Sequence, residues 1–293
     1  MTVKKTKKGF ELVKTKVLLY VQFQYRLLTS ASRVTPDFMV LGGQKCGTTS
    51  LHRYMKQHPN VLPPYKKDSS FFDANYFRGF SWYRAYFPLQ TKIEKLQSNG
   101  EHFVTGEVTT SYIHHPLTPQ RVFDANLPEV KFIALLRNPV DRAYSHYQHM
   151  VRTKRETLSF REAIEKEDER LYDIENRVRA GDDEALKLFR NFSYKNRGRY
   201  VEQLSRWFAL FPKERFLILK SEDLFQQPEQ VCDQVFEFLG IPPRKLAQYK
   251  NVNPGGYASA EAETLQALAE YFKPYNQQLA DLLGHDFGWD SPQ

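Results

Sequence analysis

The sequence predicts an α/β fold, a central parallel sheet with helices on both faces. Three observations carry that expectation. Short apolar runs recur at residues 38–41, 130–136 and 215–220. The stretches between them have helical composition and are long enough to be crossovers between parallel strands. The chain has 293 residues, 41% of them hydrophobic and 14% aromatic. That is enough to bury a core as one large domain or two small ones.

The first segment is a basic arm, residues 1–34. Residues 1–36 hold Lys4, Lys5, Lys7, Lys8, Lys14, Lys16, Arg26 and Arg33 against Glu11 alone, so +7 of the chain's +8 net charge sits here. The body is nearly neutral, and the excess of basic residues is no argument for a nucleic-acid partner. An apolar run begins at Val17, but Gln22, Gln24 and Arg26 interrupt it. That interruption spoils a secretory signal peptide. No run of 18 uncharged apolar residues exists to span a bilayer. The arm is expected to be a basic helix packed on the body or trailing from it. The functional alternative is peripheral contact with anionic lipid.

Thr35-Pro36-Asp37 signals a turn and opens the body, residues 35–293. Residues 38–41 read as a buried strand ending at Gly42-Gly43, and residues 48–57 as a helix. Residues 103–105 form a second, weaker strand, and residues 130–136 a third and the clearest. A helix over 141–152 follows Pro139. Residues 160–190 are rich in Glu, Arg and Lys and suggest exposed helices. An amphipathic helix covers 199–210 and a fourth strand 215–220. Helices over 228–239 and 261–283 complete the chain, the last interrupted near Pro274. Cys46 and Cys232, the only cysteines, exclude a disulfide scaffold and a multi-cysteine zinc module.

The strongest local signal is Gly42-Gly43-Gln44-Lys45-Cys46-Gly47-Thr48-Thr49-Ser50, between a strand and a helix. There, backbone N–H groups and the helix dipole point at an anion. Gly43 and Gly47 permit a tight turn and close approach. Thr48, Thr49 and Ser50 add hydroxyl donors. A nucleotide triphosphatase would place Lys after the last Gly, then Ser or Thr for magnesium. Here Thr48 follows Gly47 and the lysine is earlier, at Lys45. The third strand ends at Arg137, where a magnesium-holding Asp would be expected. Both departures point to a ligand whose charge is neutralised by Lys and Arg, with no metal.

Arg137-Asn138-Pro139-Val140-Asp141-Arg142 with Ser145 forms a second cluster. Arg137 falls at the carboxyl edge of the sheet, where α/β ligands bind. Its guanidinium offers a bidentate fork to phosphate. His146 and His149, and the pair His114-His115, fit no zinc spacing. A surface position is the expectation for His146. A helix N-terminus lowers a thiol pKa, so Cys46 is either reactive or a small space-filling residue.

Together these motifs resemble the PAPS-dependent sulfotransferases, most closely the heparan-sulfate and carbohydrate branch and its bacterial relatives. Further matching pieces are Asp68-Ser69-Ser70-Phe71-Phe72, Gly106-Glu107 before Thr109-Thr110-Ser111-Tyr112, and Lys220-Ser221-Glu222-Asp223-Leu224. Asn253-Pro254-Gly255-Gly256-Tyr257 and the terminal residues up to Trp289 also fit. The resemblance covers most of residues 37–289. It implies a P-loop-like strand–loop–helix for the phosphosulfate and the release of PAP. Gly43, Gln44, Lys45, Cys46, Gly47, Thr48, Thr49 and Ser50 would hold the 5′-phosphosulfate, with Lys45 at the bridging oxygen. Arg137 and Ser145 would hold the 3′-phosphate, and Gly255, Gly256 and Tyr257 would close over the nucleotide.

Asp68 stands where heparan-sulfate relatives carry a catalytic Glu, and is the first candidate base. Glu107 is the second. For Asp68 the alternative to a base is a solvated loop carboxylate or one paired with Lys66 or Lys67. The chain has Glu107-Val108 where those relatives have Glu-Lys, so a second active-site lysine is missing, which disfavours a heparan-like acceptor. Pro254 replaces a basic residue of the C-terminal loop. Trp82, Tyr83, Tyr86 and Phe87 would either platform an acceptor or pack in the core. The acceptor would offer a hydroxyl or amine on a carbohydrate, a glycolipid or a small-molecule alcohol. The alternatives are a magnesium-dependent P-loop kinase and a non-catalytic module binding anionic polymer or membrane. The expected compartment is the cytoplasm, with membrane association through the arm as the alternative and Golgi-type anchoring disfavoured.

Overall fold

The computed structural model describes residues 2–127, 129–250 and 260–289, with side chains from Lys14 onward except Lys16. Five strands form one parallel sheet: β1 (Phe38–Gly42), β2 (Val61–Leu62), β3 (Val104–Val108), β4 (Lys131–Leu136) and β5 (Phe216–Lys220), in the order β2-β3-β1-β4-β5. The α/β expectation is met.

Side chains alternate across the central strands and feed two cores. Met39 and Leu41 of β1 join Phe132, Ala134 and Leu136 of β4 on one face. Phe38 and Val40 join Ile133 and Leu135 on the other. Continuous apolar runs are the consequence, because both faces are covered. From β1 the chain turns to one side for β2 and β3, then crosses to the other for β4 and β5. The C-terminal end of β1 is therefore the switch point where an open α/β sheet binds ligand.

Seven helices matter for the site. They are α1 (Thr2–Leu28), α2 (Thr48–Met55), α3 (Phe80–Arg84), α4 (Pro139–Arg152), α5 (Asp183–Phe192), α6 (Tyr200–Phe208) and α7 (Ala262–Leu283). Among the described residues no helix is long and apolar enough to cross a membrane.

Four details differ from the sequence reading. The edge strand β2 was not anticipated, since two residues carry no periodicity. β3 runs to Val108, which places Glu107 inside a strand. Residues 160–190 are not simply exposed: Ile174, Val178, Ala185 and Phe189 form a small core of their own. α7 passes through Pro274 without interruption. Pro274 is on the exposed side, so the carbonyl it leaves unpaired faces water, while Leu268, Phe272 and Leu279 hold the buried side.

Gly106 of β3 pairs with Phe38 of β1. A Cβ there would meet the Phe38 carbonyl oxygen and ring. Gly106→Ala is expected to lower stability by about 2 kcal/mol, read as a lower urea midpoint at unchanged slope.

Candidate active site at the carboxyl edge of the sheet

The chain slips register against β4 between Val40 and Gly42 and then enters the loop. The Gly43 amide donates to the Leu135 carbonyl at 2.6 Å. The Ser221 hydroxyl donates to the Cys46 carbonyl. These two bonds tie the loop to the ends of β4 and β5. Lys45 is held at φ 72° and Gly47 at φ 84°, both left-handed. A Cβ on Gly47 would also come within 3.0 Å of the Phe225 ring, so only glycine fits. Gly47 caps α2, whose Thr48 and Thr49 amides sit at the positive end of its dipole, while the Ser50 amide donates to the Gly47 carbonyl at 2.9 Å. Thr48 and Ser50 are buried beneath that turn, and the Gln44 side-chain oxygen is buried without a partner.

Cys46 is fully buried, 3.9 Å from the Tyr200 hydroxyl. Burial pushes its thiol up to about 11. This fits the space-filling reading, not the reactive one.

The second motif lies beside the loop because β4 neighbours β1. The Arg137 carbonyl accepts from the Tyr200 hydroxyl at 2.9 Å, and the Asn138 amide donates to Glu222 Oε1 at 2.9 Å. Asn138 Oδ1 accepts from the Val140 amide at 3.0 Å and caps α4. Ser145 is buried on that helix. His149 and Arg152 follow it at i+4 and i+7, on the same helical face. Arg152 was not anticipated, though that spacing from Ser145 could have shown it. Burial, then the charges of Arg152 and Arg137, hold the Lys45 ammonium below its usual range. Arg137 and Arg152 thus lie near enough to Lys45 for their charges to act on it. Burial, Lys45 and Arg152 likewise lower His149. His146 is no surface residue: it is completely buried, 5.0 Å from the Tyr194 ring, and burial keeps it well below the ordinary histidine value.

The facing wall comes from the segment before α3. Lys67 Nζ donates to Thr49 Oγ1 at 2.9 Å, bridging this wall to α2. Sequence reasoning had treated Lys67 only as a partner for Asp68. Asp68 sits at φ 65° and accepts from the Ser70 hydroxyl at 3.0 Å, with one side open to solvent. Partial loss of hydration, and then the charge of Asp73, raise its carboxyl above the usual value, while Ser70, Lys67 and Arg190 oppose that shift. No direct ion pair joins Asp68 to Lys66 or Lys67 among the described contacts. A cavity of about 520 Å³ opens beside Asp68, lined in part by Lys66, Lys67, Arg78, Trp82, Tyr86 and Arg190. The aromatic stretch is largely core: Tyr83, Tyr86 and Phe87 are buried members of it with Trp82 packed against them, and Trp82 and Tyr86 also border the cavity. Arg190 of α5, also unanticipated, pairs with the buried carboxylate of Asp73.

Glu107 lies behind this wall. It is buried and accepts from the hydroxyls of Ser69 (2.5 Å), Tyr83 (2.5 Å), Thr109 (3.2 Å) and Tyr112 (3.3 Å). Burial pushes it up to about 7, against the opposing pull of those donors. Four hydroxyls enclose it, so it braces Ser69 and the Asp68 turn and does not face the cavity. Gly255, Gly256 and Tyr257 lie outside the described residues. A further cavity of about 450 Å³, lined by Arg161, Lys195 and Tyr271 among others, includes none of the motif residues.

A family model for the sulfotransferase domain matches residues 35–254. The chain belongs to the sulfotransferase family. It is 26% identical to the membrane-associated sulfotransferase kil1 of Dictyostelium discoideum, over 87% of this chain and 67% of that protein. It is 27% identical to the bifunctional heparan sulfate N-deacetylase/N-sulfotransferase 1 of Mus musculus, over 85% of this chain. The match spans only 29% of that mouse protein. The crystal structure of a sulfotransferase from Alicyclobacillus acidocaldarius superposes with a TM-score of 0.65 at 30% identity, covering 87% of this chain and 99% of that one. The resemblance to the family, and the α/β sheet it implied, are both borne out.

Glu107 carries a pH prediction. Its folded value, about 7, exceeds the ordinary 4.5, so the folded protein binds the extra proton between them. Its stabilising contribution is complete below 4.5 and declines as pH rises to about 7, by on the order of 3 kcal/mol. Glu167, also pushed up to about 7 by burial, acts in the same window. Glu107→Gln is expected to remove roughly half of the stability loss between these limits, measured as denaturation midpoint against pH.

Proposed function

We propose that the protein transfers a sulfuryl group from PAPS to a hydroxyl of a carbohydrate-type acceptor and releases PAP. The observation that carries this reading is the convergence of Lys45, Arg137 and Arg152 on the start of α2. Such an arrangement suits two phosphates held by cations and backbone amides. The family relationship supports the sulfuryl donor. The cavity beside Asp68, with Trp82 and Tyr86 on one side and four cations around it, suits a sugar ring bearing negative charge nearby.

In this reading the acceptor oxygen forms a bond to sulfur as the bond from sulfur to the 5′-phosphate oxygen breaks. The acceptor proton passes to Asp68. The departing oxygen keeps the bonding electron pair and leaves with PAP. Little covalent chemistry falls to the protein, so positioned charge matters most. Lys45 and the α2 amides meet the charge on the leaving oxygen. Lys67, through Thr49, supplies positive charge from the facing wall, where the chain lacks a lysine after Glu107. Asp68, raised and solvent-accessible, is the base. Glu107 positions it.

Calorimetric titration with PAP in EDTA tests the reading, with ATP as control. Metal-free PAP binding is expected, weakened roughly tenfold to a hundredfold by Arg137→Ala. Binding of ATP alone, and only with magnesium, would move the assignment to a kinase. With PAPS and an acceptor, Lys45→Ala is expected to lower kcat by about 10²- to 10³-fold. Asp68→Asn should lower kcat by at least about 10²-fold while leaving PAP affinity intact. Full turnover by either variant would remove that residue from the chemistry.

A further inference from the structure

The helix α1 has two faces with different surroundings. Its inner face is docked on the body. The Phe23 ring packs against Tyr65, Trp82 and Tyr86, with centroids 5.4, 5.9 and 5.6 Å away. Arg26 donates to the carbonyls of Ala85 (2.6 Å) and Phe87 (2.8 Å), and the Tyr65 hydroxyl donates to the Leu19 carbonyl (2.9 Å). Trp82 and Tyr86 are also walls of the cavity beside Asp68. One layer of aromatic rings therefore joins the helix to the acceptor site.

The outer face carries Val17, Val21, Tyr25 and Leu28, exposed by 56%, 56%, 58% and 86%, and Leu18, Leu19 and Tyr20 beside them are exposed as well. The first four, spaced four, four and three residues apart, align as a stripe, and the other three widen it into a broad apolar surface. No described residue covers it. A contiguous exposed apolar stripe of this kind marks an interaction surface. The sequence just before it supplies Lys4, Lys5, Lys7, Lys8, Lys14 and Lys16 against Glu11 alone. That charge selects the occupant. A second copy would bring its own lysines against these, whereas an anionic lipid surface offers phosphates to the ammonium groups and acyl chains to the stripe. Next in sequence to Arg78 of the cavity wall stands another exposed ring, Phe77, 80% exposed, with the Arg78 guanidinium 5.1 Å from its centroid.

We propose that α1 lies in the headgroup layer of an anionic membrane and turns the cavity beside Asp68 toward that surface, so that the acceptor hydroxyl belongs to the sugar of a glycolipid headgroup. The sulfuryl step rests on the function proposed above; the docking does not.

The test uses the full chain and phosphatidylcholine vesicles with or without phosphatidylglycerol. Flotation should show binding only to the anionic vesicles, weakened by added salt. The triple variant Val17→Asp, Val21→Asp, Leu28→Asp changes only exposed positions and should bind at least about tenfold more weakly, with PAP affinity unchanged. Loss of PAP binding in both proteins would remove the proposed function and leave the flotation result standing. Both native cysteines are buried, so a polarity-sensitive dye can be placed at Phe77→Cys or at Phe123→Cys. Phe123 ends the helix Thr118–Asp124, which returns to the amino edge of the sheet. Vesicles should shift the dye at 77 and not the dye at 123. With radiolabelled PAPS and vesicles of total lipid from the producing cells, label should enter the lipid fraction, and the triple variant should reduce it at least about tenfold. The proposal is overturned by undiminished flotation of the triple variant, by a response at 123 alone, or by label that never enters lipid. It is equally overturned by a dimer that the triple variant dissolves, since a second copy would then cover the stripe.

Discussion

The site depends on holding together positive charges that repel one another. Lys45, Arg137 and Arg152 meet at the start of α2, and the two arginines are the charged groups that most depress the Lys45 ammonium. Nothing local would assemble them: they come from a loop, the end of a strand and the fourth turn of a helix. The sheet does it. β1 and β4 are neighbours with two buried cores pressing on them, so their C-terminal ends are fixed side by side. The bonds from Gly43 to Leu135, Ser221 to Cys46 and Tyr200 to Arg137 then fasten the backbone that carries the charges. An anion bound there relieves the repulsion, so ligand affinity and the strain of the unliganded site have one origin.

The same logic explains which parts were readable in the sequence. Parallel strands with both faces covered appear as unbroken apolar runs, so β1, β4 and the half-buried edge strand β5 were legible almost to the residue. Glycines that a turn requires, with Lys45 between them, made the loop legible too. β2 was not, because two residues hold it in place only through β3. Arg190 and Lys67 were missed for a different reason. Their partners, Asp73 and Thr49, lie 117 and 18 positions away, and only tertiary packing brings them to the cavity. His146 was misplaced because a histidine has no sequence mark that separates a buried ring from an exposed one.

Glu107 shows how a strand boundary changes a chemical assignment. With a strand ending at residue 105, Glu107 would sit in a loop, free to serve as a base. With β3 continuing to Val108, it is locked inside the pleat, facing Tyr83, Tyr112, Ser69 and Thr109. Its burial raises it to about 7. A carboxyl so enclosed is bonded to the Asp68 turn through Ser69 and is not among the residues that line the cavity. Asp68, two bonds further along that bracing, keeps an open side and a left-handed backbone that aims it at the cavity. Two acids close in space thus divide into a brace and a candidate base because one is inside the sheet and the other is beyond it.

Net charge hides this organisation. The body is close to neutral, yet Lys45, Arg137 and Arg152 gather at its carboxyl edge, while several of its acidic residues are held by structural partners. Glu156 pairs with Arg170, Glu167 holds the amides of Lys195 and Asn196, and Glu222 holds the Asn138 amide. The arm's lysines are a separate population, outside the sheet and uncompensated in sequence. Crowded cleft cations lower stability and must be enforced by packing. The arm's lysines follow one another closely in sequence and need no tertiary packing to bring them together. Two positive regions of equal sign therefore answer to different constraints: the first is fixed by the core to a few ångströms, the second only by its place along a helix. The aromatic layer of Phe23, Trp82 and Tyr86 is where those two regimes meet.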